Sequence, residues 1–183
     1  MTSAPVAAIP ESAEGLVRRA ARGDQAAFAR IVRMHHADMV RVCFVVAGDM
    51  DAAEEAVAAA WPIAWRRLGT LREPDRLRPW LCSVAANEVR QQLRRSRRRN
   101  VIEIPVHAAD DVTWPDPSSR AGDLDLANAL AKLEPDDRAL LALRYVAGLN
   151  STELARATGL SASGTRARLQ RLLERLRKEL GDD

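Results

Sequence analysis

What this chain lacks narrows it first. No stretch approaches the roughly 18 uncharged apolar residues of a membrane span, although 47% of the residues are hydrophobic, so no membrane insertion is expected. No run alternates polar and apolar residues over a useful length, and β-branched runs are short, which leaves little room for sheets. Cysteine is limited to Cys43 and Cys82. Both fall inside helical patterns without metal-ligand spacing, so they read as small buried hydrophobes, and no disulfide is expected. Of the three histidines, His35 and His36 are neighbours, about 100° apart on a helix, and cannot share a metal. His107 stands alone. There is no glycine-rich phosphate loop and no nucleophile elbow. Most acidic residues sit at helix starts, where capping accounts for them. Catalysis, a metal centre and a cofactor are therefore not expected. The opening MTSAPVAAIPESAEG has no basic segment followed by an apolar one, so it does not read as a secretory signal, and residues 1–12 read as a disordered tail.

What is present is charge, unevenly placed. The formal net charge is only +3. Residues 1–99 carry 17 Lys and Arg against 11 Asp and Glu, residues 100–123 carry 1 against 5, and residues 124–183 carry 10 against 9. A basic block and a near-neutral one thus flank an acidic connector. Local patches, not bulk charge, must carry any contact with a polyanion.

Nearly everything else reads as helix, because alanine is abundant and apolar residues recur at three- and four-residue steps. Ser12 to Arg22 forms a short amphipathic helix with Leu16, Val17, Ala20 and Ala21 inward. Asp24 caps a second, ended by Gly48, with Phe28, Ile31, Val32, His35, Met39, Val42, Cys43 and Val46 on one face. Asp49 or Asp51 opens a third, with Val57, Ala60, Trp61, Ala64 and Leu68 inward. Pro62 inside it predicts a kink or two helical pieces. After a turn at 69–74, a fourth helix runs from Pro74 or Asp75 to Arg97 and ends in RRSRRR, Arg94–Arg99, a strip suited to phosphates. Residues 100–123 change character, with Pro105, Pro115 and Pro117 among Asp110, Asp111 and Asp116, and read as an extended acidic linker. Asp123 is expected to cap the next helix, and Pro135 to begin another at the position where its missing N–H does no harm.

The final stretch, Leu149–Lys178, reads as a helix-turn-helix. Asn150 and Glu153 form a capping box, Gly159 takes the left-handed position after the first helix, Leu160 fills the turn, and Ser161 caps the second. That second helix sets Leu169, Leu172, Leu173, Leu176 and Leu180 on one face. Donor-rich side chains crowd its first turns, where such helices enter the major groove.

These pieces in this order resemble bacterial RNA polymerase sigma factors of the extracytoplasmic-function (ECF) class. Asp24–Phe44 and Ala52–Leu68 are similar to the family's second conserved region, RLRPWLCSVAANEVRQQLRRSRRR (Arg76–Arg99) to its −10-reading helix, and Leu130–Leu180 to its fourth region. The resemblance implies an all-α fold of two small helical domains, 13–99 and 124–183, joined by the linker at 100–123. It implies that the first domain binds core polymerase and opens the −10 element, and that the second reads the −35 duplex. On the −35 side it implicates Ser163, Thr165, Arg166, Arg168, Gln170 and Arg171. On the −10 side it implicates Arg78, Asn87, Arg90, Gln91, Arg94 and Arg95. For polymerase it implicates Glu54, Glu55, Trp61 and Trp65, with more weight on them because Ala58 and Ala59 replace a polar pair common in the family. Trp80, spaced with Leu77, Leu81 and Val84, reads as core. Implied partners are RNA polymerase core, promoter DNA and an anti-sigma factor, all in the cytoplasm. The alternative is a free-standing dimeric helix-turn-helix regulator, which would bind a palindromic duplex and would have no need of the basic fourth helix.

Overall fold

A computed structural model describes residues 12–102 and 121–181. The expected tail, apart from Ser12, and linker residues 103–120, with His107 and Trp114, lie outside the described residues. Among the described residues there are eight α-helices and no strand. The N-terminal unit comprises α1 (Ala13–Ala21), α2 (Gln25–Ala47), α3 (Met50–Arg67) and α4 (Leu77–Ile102). The C-terminal unit comprises α5 (Ala121–Ala131), α6 (Pro135–Leu141), α7 (Ser151–Thr158) and α8 (Ala162–Leu180).

The helix starts follow local chemistry. Ser12, Asp24 and Asp49 accept the N–H of Gly15, Ala27 and Ala52, each satisfying a donor that the helix itself leaves orphaned. Gly48, at φ 77°, closes α2 in the left-handed conformation that a Cβ disfavours. α2, α3 and α4 then pack on one another, with α1 against α2. Ile31, Met39, Val42 and Val46 meet Val57, Leu68, Leu81 and Val89 in a core from which water is excluded. Each such side chain contributes about 1.5–3 kcal/mol on burial. Cys43 and Cys82 belong to that core, and burial pushes the Cys82 thiol up to about 12.

Four expectations need correction. Ala21 faces solvent. α3 runs unbroken through Pro62. Pro62 and Ala58 are both exposed, so the carbonyl that loses its helical partner is open to water. α4 continues beyond Arg97 to Ile102. Asp123 is not an N-cap, because α5 already begins at Ala121.

The C-terminal unit holds a feature that periodicity did not signal. α6 passes at Ala142–Val146 into a wide π-turn closed by Ala147 N–H on the Ala142 carbonyl at 3.0 Å. This turn carries the chain to Leu149 and the helix-turn-helix. There Asn150 accepts the Thr152 and Glu153 N–H groups at 3.0 Å, and Glu153 accepts the Asn150 N–H at 2.7 Å. Gly159 is left-handed at φ 72°, and Ser161 caps α8 by accepting the Gly164 N–H. Leu154, Leu169, Leu172 and Leu176 seal the two helices inward, while Leu180 stays partly exposed.

The two units pack together. α6 lies against α2 and α4, and Leu140, Leu141 and Leu143 join the same continuous apolar core as the N-terminal helices. Arg138 is only 6% exposed; its Nε donates to the Val46 carbonyl at 2.7 Å and its Nη1 to the Ala131 carbonyl at 3.4 Å. A guanidinium thereby caps the C-terminal ends of α2 and α5, where the helix dipole is negative.

Candidate nucleic-acid interface

α8 presents a polar face over its first three turns. Ser163, Arg166, Gln170 and Arg171 are exposed on it. Arg166 and Arg171 have no ion-pair partner among the described residues. Gln170 donates to Glu174 at 3.1 Å, and the Ser163 hydroxyl lies 3.2 Å from that of Ser161. Arg168 is half-buried, with its Nε on Asp137 Oδ1 at 2.6 Å. Thr165 does not belong to this surface. It is fully buried, and its hydroxyl donates to the Ser161 carbonyl at 2.9 Å. The spacing that puts Thr165 among exposed donors also places it one turn before Leu169, and the core takes it.

On α4, the residues implicated for the −10 element divide in the same way. Gln91, Arg94 and Arg95 are exposed. Arg95 donates to Gln91 at 3.3 Å and lies 3.9 Å from the buried Glu88. Asn87 accepts from Arg90 at 3.2 Å, and the Arg90 Nε donates to Asp136 at 2.6 Å, with only 11% of the arginine side chain exposed. The Arg90 bond holds the Asp136 carboxyl below its usual range. Arg78 is committed to structure: it holds Asp38 through bonds of 2.8 and 2.9 Å and donates to the Val146 and Ala147 carbonyls at 3.1 and 3.2 Å. Its bond to Asp38 lowers that carboxyl and raises the guanidinium. Trp80 is half-buried against the core, as its spacing predicts.

The residues implicated for polymerase do not form one exposed set. Glu54 and Glu55 face solvent, while Trp61 is 9% exposed. The Trp61 indole N–H donates to His36 Nδ1 at 3.2 Å, and His36 Nε2 lies 3.3 Å from Glu54. Trp61 thus orients Glu54 through an imidazole rather than offering its own ring. Trp65 is half-buried, edge-on to Phe28 at 4.4 Å between ring centres. Phe28, Ala29, Val32 and Trp65 line a shallow apolar groove between α2 and α3, edged by Gln25 and Arg33. Phe28 and Val32 fit the buried period of α2, so sequence spacing gave no sign that they reach the surface.

A second cleft separates the units. Arg72, Arg76, Trp80, Asn87, Glu153 and Arg156 are among its lining residues. The Arg76 Nε donates to Glu153 Oε1 at 2.6 Å across it. Desolvation pushes the Glu153 carboxyl upward, but the bonds from Arg76 and the Asn150 N–H outweigh it and hold the group below its usual range. Among the described residues no cluster of His, Cys, Asp and Glu has the makings of a metal site, and no helix is long and apolar enough to cross a membrane.

Helical bundle, capped helix-turn-helix and arginine-rich fourth helix together define a promoter-recognition architecture, and comparison with known proteins agrees. Residues 31–99 match the family model for sigma-70 region 2, and residues 123–176 match that for sigma-70 region 4. RNA polymerase sigma factor CarQ of Myxococcus xanthus is 35% identical over 71% of this chain and 75% of its own length. Probable RNA polymerase sigma factor RfaY of Xanthomonas campestris pv. campestris is 31% identical over 88% of this chain. The match spans only 42% of RfaY's length. The fold is shared with the sigma factor RpoE from Bartonella quintana, solved with the anti-sigma factor NepR, at TM-score 0.70 and 20% identity, covering 85% of this chain and 98% of that one. It is also shared with CnrH, solved with the cytosolic domain of CnrY, at TM-score 0.62 and 24% identity over 92% and 96%. The chain belongs to the sigma-70 family of RNA polymerase sigma factors, in its ECF class. Membership sets aside the free-standing dimeric regulator.

Proposed function

We propose that this chain works as a promoter-specificity subunit of RNA polymerase, without catalysis of its own and in the cytoplasm. Residues 13–99 engage core polymerase and the opened −10 strand, and residues 124–183 engage the −35 duplex. The observation that carries this reading is the division of α8 into two faces: Leu169, Leu172 and Leu176 are buried, while Arg166, Gln170 and Arg171 are exposed on the first turns of the second helix of a capped helix-turn-helix. That is the part of such a motif that meets base edges. Arg166 and Arg171 contact phosphate or guanine, for which a planar five-donor fork is suited. Gln91, Arg94 and Arg95 on α4 hold single-stranded DNA, which calls for cations along a groove beside hydrogen-bonding side chains. Two modest DNA contacts on one chain reinforce each other through effective concentration. Glu54, Glu55, Trp65 and the apolar groove beside Trp65 meet polymerase, and an anti-sigma factor competes for part of the same surface.

The deciding experiment mixes the purified chain with core polymerase and a randomised promoter library in run-off transcription. A stable complex and enrichment of a two-part promoter are expected, and no complex at micromolar concentration sinks the proposal. Arg166→Ala with Arg171→Ala should lower transcription from an enriched promoter about tenfold or more and leave the polymerase complex intact.

A further inference from the structure

Glu54 is held in a way that its neighbour Glu55 is not. The Trp61 indole N–H donates to His36 Nδ1 at 3.2 Å, and His36 Nε2 faces Glu54 Oε2 at 3.3 Å. Trp61 is itself anchored: it is buried and meets Phe28 edge-on at 5.7 Å between ring centres. The indole and imidazole planes lie within 14° of parallel. An indole N–H can only donate, so His36 Nδ1 must keep its lone pair. The proton of the neutral ring then sits on Nε2, the nitrogen turned to the carboxylate. Glu55 is exposed and has no hydrogen-bond or ion-pair partner among the described residues.

Glu54, Ala58 and Trp61 are spaced i, i+4 and i+7, so they share one face of α3. Ala58 ends at Cβ, as does Ala59 beside it, and between Glu54 and Trp61 this face carries no other hydrogen-bonding side chain. We infer that His36 is a positioning residue for polymerase capture: anchored on Trp61, it sets the Glu54 carboxylate to receive a cationic side chain of polymerase, on a face where the two alanines supply no polar group. The inference rests on the reading of Glu54 as a polymerase contact. Oε2 faces the imidazole, which leaves Oε1 for the partner. The His36 and Glu54 side chains are 43% and 52% exposed, so the pair can be reached without rearrangement. A carboxylate already confined to one setting loses less rotamer freedom on binding than one that swings freely. His36 comes from α2, so spacing along α3 alone gives no sign of it.

The test titrates core polymerase into the full chain, labelled at its N-terminus, and reads the complex by fluorescence anisotropy. His36→Phe keeps a flat ring beside Trp61 and removes both nitrogens. It should weaken the complex about three- to tenfold, as loss of one polar contact implies. His36→Leu serves the same purpose where His36→Phe does not fold. His36→Gln carries an acceptor and a donor on one amide and should restore most of the affinity. Glu54→Gln should weaken the complex to a similar degree, and adding His36→Phe to it should cost little more. The indole N–H resonance of Trp61, identified by its loss in Trp61→Phe, should move in His36→Phe and stay close to its place in His36→Gln. Full additivity of the two changes, or equal losses from His36→Phe and His36→Gln, overturns the proposal. A weakened Glu54→Gln complex beside an unweakened His36→Phe complex overturns the positioning role and leaves Glu54 as a contact. An unweakened Glu54→Gln complex overturns both, and places the error in the reading of Glu54.

Discussion

Thr165 is buried with its hydroxyl bonded to the Ser161 carbonyl, and that carbonyl already accepts the Thr165 backbone N–H at 2.8 Å. Removing the hydroxyl therefore strands no partner. Thr165→Val should alter the urea midpoint by less than about 1 kcal/mol equivalent and leave DNA binding unchanged, because apolar replacement of matching shape is close to neutral when no group is orphaned. Thr165→Arg should unfold the helix-turn-helix, as a charge has no partner there. Arg138 is the opposite case. Desolvation lowers its pKa, yet its bonds to Val46 and Ala131 give the fork a purpose. Arg138→Ala should cost about 1–3 kcal/mol in chemical denaturation, from two carbonyls left without a donor. Neither residue could be placed from spacing alone. A threonine or arginine at core periodicity shows its environment only once a neighbouring carbonyl is positioned beside it.

At the scale of the element, capping chemistry was the most legible feature, because it is written within four residues. Asp24, Asp49, Asn150, Gly159 and Ser161 all act as their sequence contexts predict. Asp123 is not a cap because α5 begins two residues before it, at Ala121. Gly159→Ala should cost about 1–2 kcal/mol of stability through its positive φ alone, since an added Cβ meets nothing within 4 Å. Asn150→Ala should cost about 1 kcal/mol. The candidate site was less legible than the helices that carry it. Periodicity separates inner from outer faces, but it does not say which outer arginines find a carboxylate on another helix. Arg166 and Arg168 both read as exposed donors, and only the position of Asp137 on α6 tells them apart.

Taken as a whole, the molecule is held closed by cation–carboxylate pairs laid over a shared apolar core, and this gives it a pH response. Asp136 and Glu153 both have pKa values below their ordinary 3.8 and 4.5, each paired with an arginine of the other unit. A carboxyl depressed by folding adds stability that is fully present above its unfolded pKa and is lost as pH falls through the folded one. Docking of the two units should therefore be constant through neutral pH and weaken only as pH drops below about 4.5. Small-angle scattering across that range should show an expanding chain, with helix content by circular dichroism falling later. Expansion already at pH 6 would implicate the histidines instead.

The π-turn at Ala142–Val146 bears on how this chain tolerates changes of length. A π-turn holds one residue more than the α-helical turn that would close the same loop. A single-residue deletion inside it can revert the segment to ordinary helix without breaking it. Everything downstream would then arrive turned by about 100°, which aims α8 elsewhere. The segment is thus a place where descendants of this sequence could gain or lose one codon and emerge folded, with a reading helix pointed in a new direction.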